Sequence, residues 1–143
     1  MSSRKPPSDL SAKLVRCLMK DGARSRVERA VSAALENASR RLGGIPLTQV
    51  LRTAVSNARP LIELKKRNVA GALYQVPVPV DQARSYSLAI GSLVRRARRI
   101  RGGSLEKRLA MALLEAWRGE TDRPDTPKRA ARLRVLPAYE GRA

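Results

Sequence analysis

The sequence predicts a mainly α fold, a helical bundle of about six helices with a two-stranded β-hairpin protruding between the third and the fourth. Three observations carry this reading. Apolar residues recur at three- and four-residue spacing along most of the chain, the mark of amphipathic helices. Between residues 61 and 80 the period falls to two. The apolar material is almost wholly aliphatic, with 43% hydrophobic residues, 3% aromatics and no Phe, which suits helices interlocking through Leu, Ala and Val. A chain of 143 residues is expected to form one domain and to bury roughly two-thirds of its unfolded surface. That domain spans 1–143, with a short basic arm at 1–8, the hairpin at 61–80 and a tail at 137–143.

Each element has its own signal. Ser8 and Asp9 offer N-caps for a first helix over Asp9–Lys20, with Leu10, Leu14, Val15 and Leu18 inward and Asp21-Gly22 as its stop. Ser25-x-x-Glu28 reads as a capping box opening a second helix, whose inward positions are Val27, Ala30, Val31, Ala34, Leu35, Ala38 and Leu42. Gly43-Gly44 ends it. Pro46 suits the first position of a third helix, which runs to Ala58 with Val50, Leu51, Ala54 and Val55 inward, and Pro60 stops it.

Ile62 and Leu64, then Tyr74, Val76, Val78 and Val80, alternate as two strands. Lys65-Lys66-Arg67 is expected at the hairpin's basic tip, where Asn68 and Gly71 permit tight turning. Pro77 and Pro79 exclude a central strand. Asp81 caps a long fourth helix from Gln82 to Arg101, striped by Tyr86, Ile90, Leu93, Val94 and Ala97. Ser104 caps a fifth through Trp117, with Leu105, Leu109, Ala112, Leu113 and Ala116 inward. The polar loop 119–127 leads to a short basic helix from Pro127 and a tail from Pro137. Val31, Leu35, Leu51, Leu93 and Leu113 are expected to share one core.

Charge narrows the function. Thirty Lys+Arg against twelve Asp+Glu leave +18, so the compact chain repels itself and a polyanion is the natural partner. The sequence pI near 11.6 points to nucleic acid. Of the basic residues 23 are Arg and 7 are Lys. Arg grips phosphate with two parallel hydrogen bonds and stacks on bases, although a GC-rich genome would produce the same skew. Composition also excludes classes. Without His there is no imidazole base, no Ser–His or Cys–His pair and no imidazole ligand. The single Cys17 forms neither an internal disulfide nor a zinc site, and it reads as a packing residue on the first helix. No phosphate-loop or dinucleotide fingerprint occurs, and Glu106 and Glu115 read as solvated helix positions. No catalytic residue, metal, cofactor or small-molecule substrate is expected. No apolar run approaches the roughly 20 residues of a membrane span, and Met1–Ser8 is too short for a transit helix.

The candidate RNA-binding residues lie at junctions and ends: Arg4 and Lys5; Lys20, Arg24 and Arg26; Lys65, Lys66 and Arg67; Arg84; Arg98, Arg99 and Arg101; Lys128, Arg129 and Arg132. Scattered clusters suit a folded RNA that touches the domain in several places. Tyr74, Tyr86, Trp117 and Tyr139 form no stacking platform of the RNA-recognition-motif kind. Tyr86 and Trp117 read as core residues, and Tyr74 as packing on the hairpin. Recognition is then expected through phosphates, ribose hydroxyls and shape. The alternative is a free basic protein that condenses DNA or RNA without specificity.

Asn57-Ala58-Arg59-Pro60, Glu63 to Arg67 and Val69-Ala70-Gly71-Ala72-Leu73-Tyr74-Gln75-Val76-Pro77-Val78 resemble the signature hairpin of the family of ribosomal protein seven of the small subunit. Leu18-Met19-Lys20-Asp21-Gly22 is similar to that family's first helix–turn junction. Ser87-Leu88-Ala89-Ile90 and Ser104-Leu105-Glu106-Lys107-Arg108-Leu109-Ala110 fit its fourth and fifth helices in order. The resemblance covers residues 10–119 and implies a helical bundle with a protruding ribbon. It implies binding to a multi-helix junction in the 3′ major domain of small-subunit rRNA and assembly of the head beside other head proteins. It also implies a ribbon near the exit-site tRNA and the mRNA exit. Arg4 and Lys5 are a stub of the family's longer arm. Lys128-Arg129 match the start of its last helix, but 132–143 depart from its end. The spelling of Val69-Ala70-Gly71 and of Ser104 to Lys107 looks closer to plant-type mitochondrial members, which implies a mitochondrial ribosome. Bacterial cytoplasm and another organelle are the alternatives.

Overall fold

The computed structural model describes residues 10–120. The expected arm 1–8, the caps Ser8 and Asp9, the helix from Pro127 and the tail 137–143 lie outside the described residues, as do Arg4, Lys5, Lys128, Arg129 and Arg132. Among the described residues the order is α1 (Leu10–Leu18), α2 (Arg24–Arg41), α3 (Leu47–Ala58), β1 (Ile62–Val69), β2 (Ala72–Pro79), α4 (Gln82–Arg99) and α5 (Leu105–Trp117). This is the expected helical architecture, with the hairpin between the third and fourth helices.

Helix boundaries follow from local chemistry. Past the end of α1, Asp21 and Gly22 both take positive φ, 57° and 72°, and turn the chain into α2. The capping box is corrected. Ala23 is the N-cap, with no side-chain cap, and its carbonyl accepts the Val27 N–H. Ser25 therefore lies inside the first turn, and the Glu28 carboxylate accepts from Arg24 Nε at 2.8 Å. The stop of α2 is a Schellman motif: Gly44 N–H donates to Ser39 O and Gly43 N–H to Arg40 O, with both glycines at positive φ. Pro46 precedes α3 as its N-cap, and its carbonyl accepts the Val50 N–H.

One core joins the five described helices. Leu14, Val50, Val55, Ile90, Leu93, Leu109 and Leu113 are its largest fully buried side chains, and Val31, Leu35, Leu51, Leu93 and Leu113 do share it. Helix α5 packs on α2, α3 and α4, and α3 packs on all four of the other described helices. Ala34, Ala38, Ala54, Ala89, Ala97, Ala112 and Ala116 are buried without residue, and small side chains at contacts let helix axes approach closely. Tyr86 is buried and Trp117 is packed against the core. Cys17 corrects the sequence reading: it is exposed, because it falls past the edge of the Leu10–Leu14–Leu18 stripe.

The ribbon is a two-stranded antiparallel sheet, registered from Ile62↔Pro79 to Val69↔Ala72. Its turn is Ala70-Gly71, at φ 52° and 80°, the sign pattern of a type I′ hairpin. The expected tip is thus corrected: Asn68 pairs with Leu73 within the sheet, and Lys65-Lys66-Arg67 lie in β1 rather than at the turn. Val80 N–H donates inward to Leu61 O at 3.1 Å. Nitrogens alternate in direction along a strand, so those of Pro77 and Pro79 face the open edge. That edge lacks their donors, which discourages a third strand.

Candidate nucleic-acid interface

Opposed residues in an antiparallel pair share a face, so the register sorts the ribbon's side chains. Glu63/Val78, Lys65/Val76, Arg67/Tyr74 and Val69/Ala72 share one face; Leu64/Pro77, Lys66/Gln75 and Asn68/Leu73 share the other. Both faces therefore carry cations. Lys65, Lys66 and Arg67 are exposed and have no ion-pair partner among the described residues. Tyr74, expected to pack, is exposed beside Arg67, and Leu73 is 75% exposed. Among the described residues, no layer covers the ribbon's outer faces. An exposed ring next to a guanidinium suits an unpaired base and its phosphate.

At the ribbon's root, Arg84 Nη2 meets Glu63 Oε1 at 2.9 Å. Hydrogen bonding to Arg84 holds the Glu63 carboxyl below its ordinary range and raises Arg84 in turn. Arg84 thus has a partner within the protein, although it stays on the surface beside Lys65.

Two further clusters sit at helix junctions. Lys20, in the turn between α1 and α2, and Arg24 and Arg26, in the first turn of α2, are exposed, with Arg24 partly engaged by Glu28. Arg98, Arg99 and Arg101 are exposed at the end of α4, where cations complement the helix dipole. Arg96 of the same run is different: its Nε and Nη2 donate to the two Glu115 oxygens at 2.6 and 3.2 Å. Glu115 is therefore an internal counter-ion rather than a solvated helix position. Lys107, in the first turn of α5, adds an exposed cation to this corner that sequence reasoning did not select. Among the described residues, no group of three or more His, Cys, Asp or Glu could hold a metal ion. No helix there is long and apolar enough to cross a membrane.

Sequence reasoning also missed the contacts of Arg59. Its guanidinium carbon lies 4.3 Å from the Tyr86 ring centroid. Its Nε donates to Ser85 Oγ at 3.0 Å and its Nη1 to Tyr86 Oη at 3.3 Å. The only available signal was its place at a helix-to-strand junction before Pro60.

Comparison with known proteins places these features in a family. The sequence profile described as "Ribosomal protein S7p/S5e" matches residues 2–131. The chain is 40% identical over 113 residues to "Small ribosomal subunit protein uS7" of Coprothermobacter proteolyticus, covering 79% of this chain and 72% of that one. It is 39% identical over 136 residues to the protein of the same name from Kineococcus radiotolerans, covering 92% and 86%. It is 40% identical over 109 residues to "Small ribosomal subunit protein uS7c" of Paulinella chromatophora, covering 76% and 69%.

Proposed function

The chain belongs to the ribosomal protein S7p/S5e family, and from this premise we propose that it is a structural, non-catalytic component of the small ribosomal subunit. It binds the 3′ major domain of small-subunit rRNA and helps the head assemble beside other head proteins. The helix-junction clusters, Lys20, Arg24 and Arg26 with Arg98, Arg99 and Arg101, grip the folded junction. The ribbon reaches a second stretch of backbone, in a neighbouring rRNA helix, the exit-site tRNA or the mRNA near its exit. Arg4, Lys5, Lys128, Arg129 and Arg132 extend the rRNA contact from the two ends of the chain.

The carrying observation is the ribbon itself. It presents Lys65, Lys66 and Arg67 on both faces, exposed, while Arg59 and Arg96 are engaged within the body. A nonspecific condenser has no need of such a shaped arm. Relatives from bacteria and from Paulinella chromatophora support a bacterial-type ribosome. The spelling of Val69 to Gly71 and of Ser104 to Lys107 supports a mitochondrial one within that type, which a tagged chain followed through cell fractionation tests.

The experiment shortens the hairpin between Lys65 and Ala72 and assembles particles with the shortened chain. The core is expected to fold and heads to form, with weaker exit-site tRNA occupancy or reading-frame fidelity. Absent heads would make the ribbon an assembly element. Normal heads with normal tRNA occupancy would remove its proposed reach. Failure of the full chain to co-sediment with small subunits at salt that strips loosely bound proteins would return the condenser reading.

A further inference from the structure

The chain leaves α3 at Ala58 and enters β1 at Ile62, so three residues connect the body to the ribbon on that side. A connection of this length is a natural pivot. It is not left free. Arg59, at φ −65° and ψ 125°, turns its side chain onto the first turns of α4, and Pro60 behind it is buried.

Three contacts fix the Arg59 guanidinium. It lies over the Tyr86 ring, donates through Nε to Ser85 Oγ and donates through Nη1 to Tyr86 Oη. Ser85 is only 2% exposed, and its hydroxyl donates to Gln82 O at 2.7 Å, so it is oriented to accept from Arg59. A planar fork can satisfy two oxygens while stacking on a ring, and an ammonium cannot. One residue earlier on α4, Arg84 holds Glu63 of β1. The return strand continues directly into the same helix through Val80 and Asp81. The opening turns of α4 therefore hold both roots of the ribbon.

We propose that Arg59 is a positioning residue for RNA binding: by locking the α3–β1 connection to α4, it sets the ribbon's direction relative to the helix-junction cations. Lys65, Lys66 and Arg67 then meet RNA in register with the body, without an orientational search after the body docks. This rests on the reading that the ribbon contacts RNA. Arg59 itself is turned into the protein, so its effect is transmitted through the ribbon's pose.

The test is a double-mutant cycle in the full chain, using an in vitro transcript of a bacterial 3′ major-domain rRNA. Arg59→Lys keeps the charge and removes the fork. It should weaken binding about fivefold in the native background and by less than about twofold when Lys65→Ala, Lys66→Ala and Arg67→Ala are present. Equal losses in both backgrounds would overturn the proposal, since Arg59 would then act on the fold or on RNA directly. No loss in either would overturn it as well. If the triple-alanine variant alone binds like the native chain, the ribbon's RNA contact fails instead. Electron-spin distances between labels at Cys17 and at Ala72→Cys, taken without RNA, then still read the lock. They should be narrow with Arg59 and broad with Arg59→Lys at unchanged helix content, and an unchanged distribution would overturn the lock.

Discussion

Arg96 and Glu115 form a two-point ion pair, 2.6 and 3.2 Å, that ties α4 to α5. The bond takes one arginine out of the most basic run in the chain. Its side chains are 42% and 22% exposed, so solvent screens the pair and its worth is about 1 kcal/mol or less. Glu115→Gln should lower stability by about that amount in urea titration. It should leave RNA affinity the same or slightly higher, because it frees Arg96 from Glu115; a clear loss of RNA binding at intact fold would contradict the engagement of Arg96 by Glu115.

Core truncations should separate by depth. Leu93 is fully buried, and Leu93→Ala should cost about 2–5 kcal/mol. Leu35 is also in the core but borders an open groove with Leu10, Val15, Val31 and Leu47. Its truncation should fall at the lower end of that range, because the site is partly open. Leu73→Ala on the ribbon should stay within about 0.5 kcal/mol. Chemical denaturation of the three variants checks this order.

Salt should act steeply on binding. With roughly eight phosphate contacts, the log–log slope against salt should be about −6. Lys66→Ala should make that slope shallower by about one contact, and Glu115→Gln should not. Fluorescence titration of the rRNA fragment at several salt concentrations measures both.

Glu63 should make the ribbon's root sensitive to acid. Its carboxyl is held below the ordinary range by Arg84, so the unfolded chain binds its proton more readily than the folded one. The contribution is therefore complete above the ordinary glutamate range and is lost as pH falls through the lowered folded-state value. Glu63→Gln should flatten the acid limb of the stability profile. The amide signals of Leu61 and Val80 should report the loosening by NMR.

The turn should respond to backbone chemistry. Ala70 sits at φ 52°, where a Cβ costs about 1–2 kcal/mol. Ala70→Gly should sharpen the ribbon, and Ala70→Val should fray it. Cross-strand contacts between Val69 and Ala72 in NMR spectra distinguish the two.

Periodicity carried the helices and their inward faces, because burial on one side writes a repeat into the residues themselves. The Leu10, Leu14, Leu18 and Ile90, Leu93, Ala97 stripes were legible for that reason, as were the glycine stop at 43–44 and the lone ribbon implied by Pro77 and Pro79. Net charge likewise pointed to a polyanion, since charge adds up regardless of fold. What no periodicity records is which charges meet. Arg59 and Arg67 are the same residue type eight positions apart; the first is turned onto Tyr86 and Ser85, and the second stands exposed beside Tyr74. Arg96 finds Glu115 nineteen residues away, and Arg84 finds Glu63 across a ribbon. Register also moved the turn onto Ala70-Gly71 and drew the three cations back from the tip. These pairings depend on how the helices cross and how the strands align, so only the folded chain decides which of its thirty cations remain for RNA.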